Sequence, residues 1–355
     1  MLRRSDRRAT NCTLDMLLSV DRFQFFLERA RFLASRNGST FCLLAITVGP
    51  EKLDGVAALA QILHKRLRIT DDKGFLGDGR IGVILPETPE EGAHIVAQSI
   101  QQLYSEAGGT LAYEVYVYPS DFDLDGSPIW EDETSISEQI GNSAIPVRRM
   151  ESLFAAKLPV WKRTLDIVGS IFLMALFSPV VAVSVILIRF SSPGRIFFVQ
   201  QRTGLGGKPF MMFKLRTMRD SADSEKAELL HFSTQDGPAF KLENDPRVVK
   251  VGRFLRSTSI DELPQLLNVL KGEMSLVGPR PLPVDEADEC EIWQRRRLDV
   301  TPGLTCIWQV RGRSNVTFSQ WVRMDLEYIE AVTFWNDLKL LVLTVPSVLS
   351  RKGAC

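Results

Sequence analysis

One uncharged segment in the middle of the chain constrains its fold more than any other feature. Residues Ile167–Ile188 form a run of 22 residues without Asp, Glu, Lys or Arg. A helix needs about 20 apolar residues to cross a bilayer, so we favour a membrane segment over a buried core helix. Lys162, Arg163 and Arg189 bound the run, and Trp161 is a candidate interfacial anchor. The chain is therefore predicted to contact a membrane at its centre.

The overall composition argues against several classes of function. Of the 355 residues, 43 are Lys or Arg and 43 are Asp or Glu, so with no net charge we expect no dedicated nucleic-acid binding. Five dispersed cysteines indicate reduced thiols in a cytosolic compartment. The three histidines show no metal-binding or triad pattern, which argues against a zinc enzyme or a Ser-His-Asp hydrolase. The charged N-terminus lacks an apolar h-region, so no secretory signal is expected.

The N-terminal part is predicted to be a compact α/β domain at 15–118, after a tail at 1–14. Periodicity predicts helices at 21–35, 54–68 and 89–104, strands at 41–48 and 110–118, and a turn followed by a strand at 74–86. This order and the loop Gly77–Ile81 resemble the GGDEF domain, which has a nucleotidyl-cyclase-like fold. The family's acidic pair falls on Gly79 and Arg80, so cyclase chemistry is expected to be lost. A degenerate sensory or scaffolding domain and a purely structural domain both remain open.

The remaining segments outline the second half of the chain. Residues 119–155 are rich in Asp, Glu, Ser and Gly and are predicted to be an acidic linker, which places an α+β domain at 156–355. Strands near 196–200 and 210–218 flank a glycine-rich turn, for which a hairpin is the favoured interpretation. Residues 338–349 are too short to span a bilayer. They form either an interfacial helix beside Phe334 and Trp335 or a core helix.

A pair of adjacent carboxylates carries the strongest chemical signal. Asp261 and Glu262 begin an amphipathic helix, and Pro264 belongs in a first helical turn, which favours Asp261 as the N-cap. A capping box between Ser259 and Glu262 is the alternative. Because capping requires only one carboxylate, the second suggests function. The helix dipole and Arg256 are expected to keep Asp261 ionised.

Cations flank this pair in the sequence. Arg247, Lys250, Arg253 and Arg256 lie upstream at helical spacing, and Arg280 follows between two prolines. Acids that can hold a metal or attack phosphorus, together with arginines that bind phosphate, indicate phosphate chemistry. The helix after the pair is predicted to bury Ile260, Leu263, Leu266, Leu267 and Leu270, with Gln265 and Asn268 on the polar face beside Asp261.

Ser178–Pro179, at the centre of the uncharged run, leaves two topologies open. Proline removes a backbone donor and clashes with the carbonyl four residues earlier, so a kink is expected, and the serine hydroxyl can satisfy the freed carbonyl. A mild kink gives a spanning helix, whereas a sharp one returns both ends to the same face. We favour a re-entrant helix over about 163–189, because no secretory signal is expected and a nucleotide-like phosphate substrate is cytosolic.

Several sequence blocks resemble one family, the bacterial sugar transferases, which are monotopic phosphoglycosyl transferases acting on polyprenyl phosphate. The blocks run in order over about 158–355: KRTLDIVGS to LFSP (162–179), FKLRTM (213–218), DPRVVKVGRFLRSTSIDELPQLLNVLKGEMSLVGPRP (245–281), TPGLTCIWQVRGR (301–313) and FWNDLKLLVLTV (334–345). The resemblance implies a re-entrant membrane helix broken at Ser178–Pro179. It also implies a location on the cytoplasmic face of the bacterial inner membrane.

The resemblance further implies an activity. A sugar phosphate moves from a UDP-sugar to undecaprenyl phosphate, UMP is released, and the product starts exopolysaccharide or glycoconjugate assembly by downstream glycosyltransferases. Asp261 is then the nucleophile that forms a phosphosugar-aspartyl intermediate, and Mg²⁺ bridges the diphosphate and the acid pair. Glu262 either ligates Mg²⁺ or deprotonates the lipid phosphate.

Binding roles also follow from the resemblance. The residues at positions expected to grip phosphate or uridine are Arg256, Pro279, Arg280, Pro281 and Arg313. The residues expected where the lipid phosphate meets the membrane helix are Lys162, Arg163, Ser178 and Pro179. Two alternatives remain open: a non-catalytic membrane signalling or scaffold protein with a nucleotide-sensing N-terminal domain, and an enzyme in which Asp261 serves only as a base or Mg²⁺ ligand in a ternary complex.

Overall fold

The chain divides into two compact units, Met1–Met150 and Glu151–Cys355, which are described separately. The structure is a computed structural model that describes residues 16–49, 53–77, 79–119, 147–219, 222, 225, 229–233, 235–240, 242, 245–311 and 316–350. Most of the predicted linker lies outside the described residues. The second unit begins a few residues before the predicted domain start at 156.

The first unit is the predicted α/β domain, and each predicted helix and strand is present close to its expected bounds. Its elements are α1 (Val20–Asn37), β1 (Phe41–Val48), α2 (Leu53–Arg66), β2 (Asp72–Gly77), β3 (Arg80–Pro86), α3 (Glu90–Glu106), β4 (Leu111–Tyr118) and β5 (Val147–Arg149). The prediction lacks β2 and β5. β5 lies at the end of the predicted linker and pairs in parallel with β4.

Helices cover both faces of the sheet in this unit. The strand order is β2-β3-β1-β4-β5, and the first three pairs are antiparallel. On one face, Leu44 and Val83 pack with Leu63 of α2 and Ile100 of α3 in one core cluster. Neighbouring strand residues point to the opposite face, where the ring of Phe23 from α1 lies directly against Gly82. Only the inner side of α1 therefore belongs to the core.

An ion pair occupies the loop that resembles the GGDEF signature. Arg80 Nη1 lies 3.3 Å from Glu114 Oε2, and the Tyr116 hydroxyl donates to the same oxygen at 2.8 Å. Asp78 lies outside the described residues. The contact gives Arg80 a structural role at the start of β3, and the loss of cyclase chemistry stays a prediction.

The second unit is of the α+β class, as predicted. Its elements are α4 (Glu151–Phe154), α5 (Val160–Ser191), β6 (Phe197–Thr203), β7 (Pro209–Leu215), α6 (Lys250–Ser257), α7 (Leu266–Lys271), β8 (Ser275–Val277), α8 (Val284–Asp288), β9 (Gly303–Thr305), α9 (Ile307–Arg311), α10 (Phe318–Glu330) and α11 (Phe334–Leu349), with 3₁₀ turns at Leu205–Gly207, Leu230–Phe232, Ile260–Gln265 and Gln294–Asp299. β6 and β7 form the predicted hairpin, and β8 and β9 pair in parallel.

The predicted membrane segment is the helix α5, which continues without interruption through Pro179. Ser178 donates its hydroxyl to the Ala175 carbonyl at 2.9 Å, which is the carbonyl that proline cannot serve. The helical hydrogen-bonding pattern thus continues across Ser178–Pro179, and the bend expected there stays a prediction. Among the described residues, α5 is the one helix long and apolar enough to cross a membrane, and only 11% of its most apolar window is buried. This exposure excludes a core helix.

Both ends of α5 are attached to the same unit. Near its start, Asp166 accepts hydrogen bonds from the Ser275 hydroxyl at 2.9 Å and the Leu276 backbone N–H at 2.8 Å. At its end, Ile188 is buried with Leu215 and Leu255. A straight span would separate its ends by about 30 Å of hydrocarbon. Attachment of both ends to one unit therefore agrees with the favoured re-entrant course, which remains a prediction.

The buried side chain of Asn268 joins α7 to the β6–β7 hairpin. It accepts from the Phe213 backbone N–H at 3.1 Å and donates to the Met211 carbonyl and to Glu273, both at 2.7 Å. The prediction that Asn268 and Gln265 lie on the polar face is wrong, because both are buried while Leu267 is 42% exposed. The segment begins as a 3₁₀ turn, which advances about 120° per residue instead of 100° and shifts the phase of the faces.

Replacing Asn268 with alanine is expected to lower the free energy of unfolding by about 2–3 kcal/mol, because the edge strand would keep two backbone groups without partners. Urea unfolding of the detergent-solubilised chain measures the change. Asn336, whose exposed amide bonds only the Ala331 carbonyl, provides the matched control. Its alanine variant is expected to lose less than about 1 kcal/mol. Equal losses in the two variants would contradict the role assigned to Asn268.

Candidate active site

Five of the predicted site residues line one large cleft in the second unit: Arg256, Asp261, Glu262, Arg280 and Pro281. The cleft has a volume of about 1980 Å³ and contains Lys214, Arg256, Asp261, Glu262 and Arg280. Eight of its lining residues are Lys or Arg and four are Asp or Glu, so it favours anions. Its other end is lined by apolar residues of α5 and α11, which include Phe172, Leu173, Phe177, Val342 and Val345. The cleft is larger than a single small ligand requires, which is about 300–1,000 Å³.

The acid pair lies in the 3₁₀ turn Ile260–Gln265, between α6 and α7. Ser259 precedes the turn with a left-handed backbone, φ 55°, which is uncommon for a residue with a side chain and produces a sharp change of direction. Neither predicted cap is present: Ser259 occupies the N-cap position without a side-chain bond, and Asp261 lies inside the turn. The two carboxylates are therefore available for roles other than capping.

Asp261 is buried, and its carboxylate makes no hydrogen bond or ion pair with any of the described residues. Burial first, and then the neighbouring Glu262, raise the pKa of Asp261 to about 6, against the effects of Lys214, Arg256 and Arg280. Arg256 lowers the pKa of Asp261, as expected, but burial and Glu262 outweigh it. At neutral pH the carboxylate is still mainly ionised, and none of the described residues competes for it with a hydrogen bond.

Glu262 is firmly paired. Arg280 Nη2 forms an ion pair with its Oε1, and Lys214 Nζ approaches the same oxygen at 3.4 Å. Burial alone would raise the pKa of Glu262, but Arg280 and Lys214 together lower it to about 2. In turn, burial and the nearby arginines lower the pKa of Lys214 to about 8. The two adjacent carboxylates thus differ: Glu262 is held by Arg280 and Lys214, whereas Asp261 has no partner among the described residues.

Two strand residues that were absent from the predicted site complete this cationic wall. In the β6–β7 register, Arg202 lies opposite Phe210 and Phe198 lies opposite Lys214, which places both cations on one face of the hairpin. Burial and the proximity of Arg280 lower the pKa of Arg202 to about 10, so it remains charged at neutral pH. The strand predicted at 210–218 already placed Lys214 on one face of the hairpin, and this was the sequence signal that could have added it to the site. The partner strand had to be known before Arg202 could be added.

The Pro-Arg-Pro turn is held by its backbone carbonyls. Gly303 donates its backbone N–H to the Pro279 carbonyl at 2.8 Å. Arg202 Nη1 donates to the Pro281 carbonyl at 3.0 Å. These bonds fix the backbone on each side of Arg280, so the two prolines position the arginine rather than offer side chains to a ligand.

The buried ion pair between Arg297 and Asp325 also holds the Pro-Arg-Pro turn in place. Arg297 Nη2 donates to the Arg280 carbonyl and to Asp325 Oδ2, both at 2.7 Å. Its guanidinium also lies 5.1 Å from the centre of the Trp321 ring. Arg280 is thus connected to helix α10 through its own carbonyl.

The upstream basic stripe does not form one face of a helix. α6 begins at Lys250, so Arg247 lies outside this helix. The Nε and Nη2 atoms of Arg247 donate to the two carboxylate oxygens of Asp245. Lys250 and Arg253 are exposed, and Arg256 reaches the cleft, where its Nε donates to Thr217 Oγ1 at 2.9 Å. Arg256 alone of the four retains the predicted position beside the acid pair. Arg313 lies outside the described residues, and its role stays a prediction.

The contacts of Lys162 argue against the lipid-phosphate role predicted for it, which stays untested. Its ammonium group is buried, donates to the Val277 carbonyl and the Tyr328 hydroxyl at 2.9 Å each, and forms an ion pair with Asp337. Arg163 donates from both terminal nitrogens, at 2.6 Å each, to carbonyls of α7. Lys162 and Arg163 both attach α5 to the rest of the second unit. The Ser178 hydroxyl bonds the Ala175 carbonyl within α5.

For the activity that the sequence resemblance implies, we expect Arg280→Met to lower kcat/KM by about 10²–10³-fold, since a preorganised cation at the developing charge is lost. Arg280→Lys is expected to recover part of that loss, because lysine keeps the charge but not the two-pronged geometry. Steady-state kinetics of that implied activity measure both variants. Arg311→Met is the control, because its ion pair with Glu327 lies in solvent. A loss in the control as large as that in Arg280→Met would contradict the assignment.

The second half of this chain is similar to known sugar transferases. The family model described as "Bacterial sugar transferase" matches residues 157–351. The galactosyl transferase CpsE of Streptococcus agalactiae is 45% identical over 194 residues, which is 54% of this chain and 43% of that protein. The UDP-glucose:undecaprenyl-phosphate glucose-1-phosphate transferase of Caulobacter vibrioides is 43% identical over 203 residues, 54% of this chain and 71% of that protein. The chain thus spans less than half the length of the streptococcal relative.

The first unit has only a weak structural likeness. A diguanylate cyclase protein from Thermotoga maritima matches 30% of this chain and 85% of its own, at 19% identity and a TM-score of 0.27. That score is too low to identify the fold, so the GGDEF-like character of the first unit rests on its sequence and topology. The family match in the second unit covers more than half of the chain. The chain therefore belongs to the bacterial sugar transferase family.

Proposed function

We propose that this protein transfers a sugar phosphate from a UDP-sugar to undecaprenyl phosphate, releasing UMP, at the cytoplasmic face of the inner membrane. The observation that carries the proposal is a buried Asp261 carboxylate, without a partner among the described residues, in a cationic cleft that apolar residues of α5 also line. The Caulobacter relative is named as a glucose-1-phosphate transferase acting on UDP-glucose and undecaprenyl phosphate. The product starts exopolysaccharide or glycoconjugate assembly, for which downstream glycosyltransferases are the partners.

Charge balance supports a diphosphate substrate. Arg202, Lys214, Arg256 and Arg280 line the cleft around the acid pair, so four cations face two carboxylates. A nucleoside diphosphate sugar brings two negative charges at neutral pH, which balance this excess. Arg202 Nε makes no hydrogen bond with any described residue and is a spare donor for a phosphate oxygen.

The chemistry proceeds in two displacements at phosphorus. A carboxylate oxygen of Asp261 attacks the β-phosphorus of the UDP-sugar, the bond from that phosphorus to the bridging oxygen breaks, and UMP leaves with the electron pair. A phosphate oxygen of undecaprenyl phosphate then attacks the phosphosugar-aspartyl intermediate, and Asp261 departs as a carboxylate. The pKa of about 6 keeps Asp261 mainly ionised yet nucleophilic at neutral pH. Cations of the cleft stabilise charge on the transferring group.

The donor set fits Mg²⁺ through Asp261. Magnesium commonly takes one or two carboxylates together with substrate phosphates and water, and Asp261 is an open carboxylate. Glu262 is less suited to hold the metal, because Arg280 and Lys214 already bind its oxygens. When bound, the ion supplies charge neutralisation on the diphosphate. Among the roles left open for Glu262, the contacts favour a further one, in which it orients Arg280 and Lys214.

The decisive experiment measures UMP release by the full chain in nanodiscs. A panel of UDP-sugars is supplied with Mg²⁺, with and without undecaprenyl phosphate. We expect release that depends on a particular UDP-sugar, and a mass increase of one phosphosugar on the intact chain when the lipid is omitted. Release only when both substrates are present, with no adduct, would support direct transfer in a ternary complex instead. No release with any UDP-sugar would contradict the proposed function.

A further inference from the structure

The outer face of helix α1 in the first unit has an unusual composition. The residues of this arginine–phenylalanine face are Arg22, Phe25, Arg29, Phe32, Leu33 and Arg36. At 100° per residue they occupy an arc of about 100°, opposite the face buried against the sheet. All six are exposed. The face therefore presents three cations and three large apolar side chains to its surroundings.

Acidic residues are absent from this face. Asp21 and Glu28 lie on one flank of the helix, outside the arc. Phe25 is 64% exposed, Phe32 56% and Leu33 46%. A solvated helix face normally carries charged and polar residues of both signs. Exposed aromatic rings among cations are instead typical of helices that lie in the interfacial layer of a membrane.

We propose that the arginine–phenylalanine face docks the first unit onto an anionic lipid surface. The guanidinium groups bind lipid phosphates, and the two phenylalanine rings enter the boundary between headgroups and acyl chains. Charge favours lipid over a second copy of the chain, because two such faces would bring six arginines together, and only Asp72 of β2, near Arg29, would partly offset them on each copy. The second unit already contains a helix suited to a bilayer, so docking is an intramolecular event at high effective concentration.

The test measures side-chain accessibility in the full chain. Single chains are placed in nanodiscs of phosphatidylcholine alone or with about 30% phosphatidylglycerol, and hydroxyl-radical oxidation of Phe25 and Phe32 is read by peptide mass spectrometry. We expect at least about a threefold drop in their oxidation in the anionic discs, and its reversal in about 1 M salt, where the Debye length falls to about 3 Å. Ile95 on α3, 63% exposed in the same unit, is the internal control and is expected not to change.

A charge-reversal variant separates lipid contact from other causes. Arg22→Glu, Arg29→Glu and Arg36→Glu combined are expected to abolish the protection of Phe25 and Phe32, while oxidation of Ile95 and UMP release in detergent stay unchanged. Equal oxidation in neutral and anionic discs would overturn the proposal. So would protection that survives the reversal, or protection that develops only in discs holding two chains, which would assign the face to a second copy.

Discussion

Replacing Asp261 with asparagine is expected to reduce UMP release by at least about 10⁴-fold, a loss of the size found when a catalytic nucleophile is removed. Asparagine keeps the shape of the side chain but cannot form an acyl phosphate, so the phosphosugar adduct on the intact chain should also disappear. A coupled assay for UMP and intact-mass spectrometry measure the two effects. UMP release at the wild-type rate would contradict the assignment of Asp261 as the nucleophile.

The same substitution should leave the fold intact or stabilise it. Burial raises the pKa of Asp261 to about 6, so the ionised form is disfavoured in the folded chain. Its contribution to stability is complete below the unfolded pKa, near 4, and is lost as the pH rises through about 6. At pH 7.5 the Asp261→Asn variant should therefore melt at the same or a higher temperature than the wild type. This advantage should shrink toward pH 5, and calorimetry at both pH values tests the sign.

The second large effect is expected on stability, from Lys162→Met. This change leaves the buried Asp337 carboxylate without its cation, and breaking a buried ion pair in this way costs about 3–5 kcal/mol. For a unit of this size, about 2–4 °C of melting temperature is lost per kcal/mol. Thermal unfolding followed by circular dichroism measures the shift, and the exposed Lys157→Met is the control, with a change below about 0.5 kcal/mol.

Lys162→Met also separates a structural role from contact with the lipid phosphate. If the residue only anchors α5, the variant protein that remains folded should keep the KM of the wild type for undecaprenyl phosphate. A raised KM together with an unchanged melting temperature would restore the lipid-binding role that the contacts argue against. The double variant Lys162→Met and Asp337→Leu removes both charges. We expect it to recover much of the stability, because apolar replacements of buried pairs are often neutral.

Local patterns predicted those parts of the fold that depend on neighbouring residues. Helix α1 and strand β1 appear where periodicity places them, because each buries one face of a regular segment. β5 has only three residues, and it is defined by pairing with a strand about 30 residues earlier in the chain, for which no local signal exists. The phase of α7 was wrong because a 3₁₀ turn precedes it.

The site shows the same division between local and distant information. Asp261, Glu262 and Arg280 could be found because they lie close together in one sequence block. Lys214 and Arg202 enter the site only through the hairpin register, which the sequence does not specify residue by residue. Lys162 was predicted to lie at the lipid phosphate because a lysine beside an apolar run is typical of a membrane interface. Its true partner is Asp337, far away in the chain.

The 175 residues between Lys162 and Asp337 have a consequence for biogenesis. A ribosome adds about 5–20 residues per second, so the apolar helix emerges roughly 10–35 s before the carboxylate that neutralises its first turn. During that interval Lys162 lacks its ion-pair partner and has only the Asp166 carboxylate of its own helix nearby, so the final attachment of the helix must wait for α11. A nascent chain that ends before α11 should therefore associate with membranes loosely and be extracted by alkali. The finished chain, with the pair formed, should resist the same treatment.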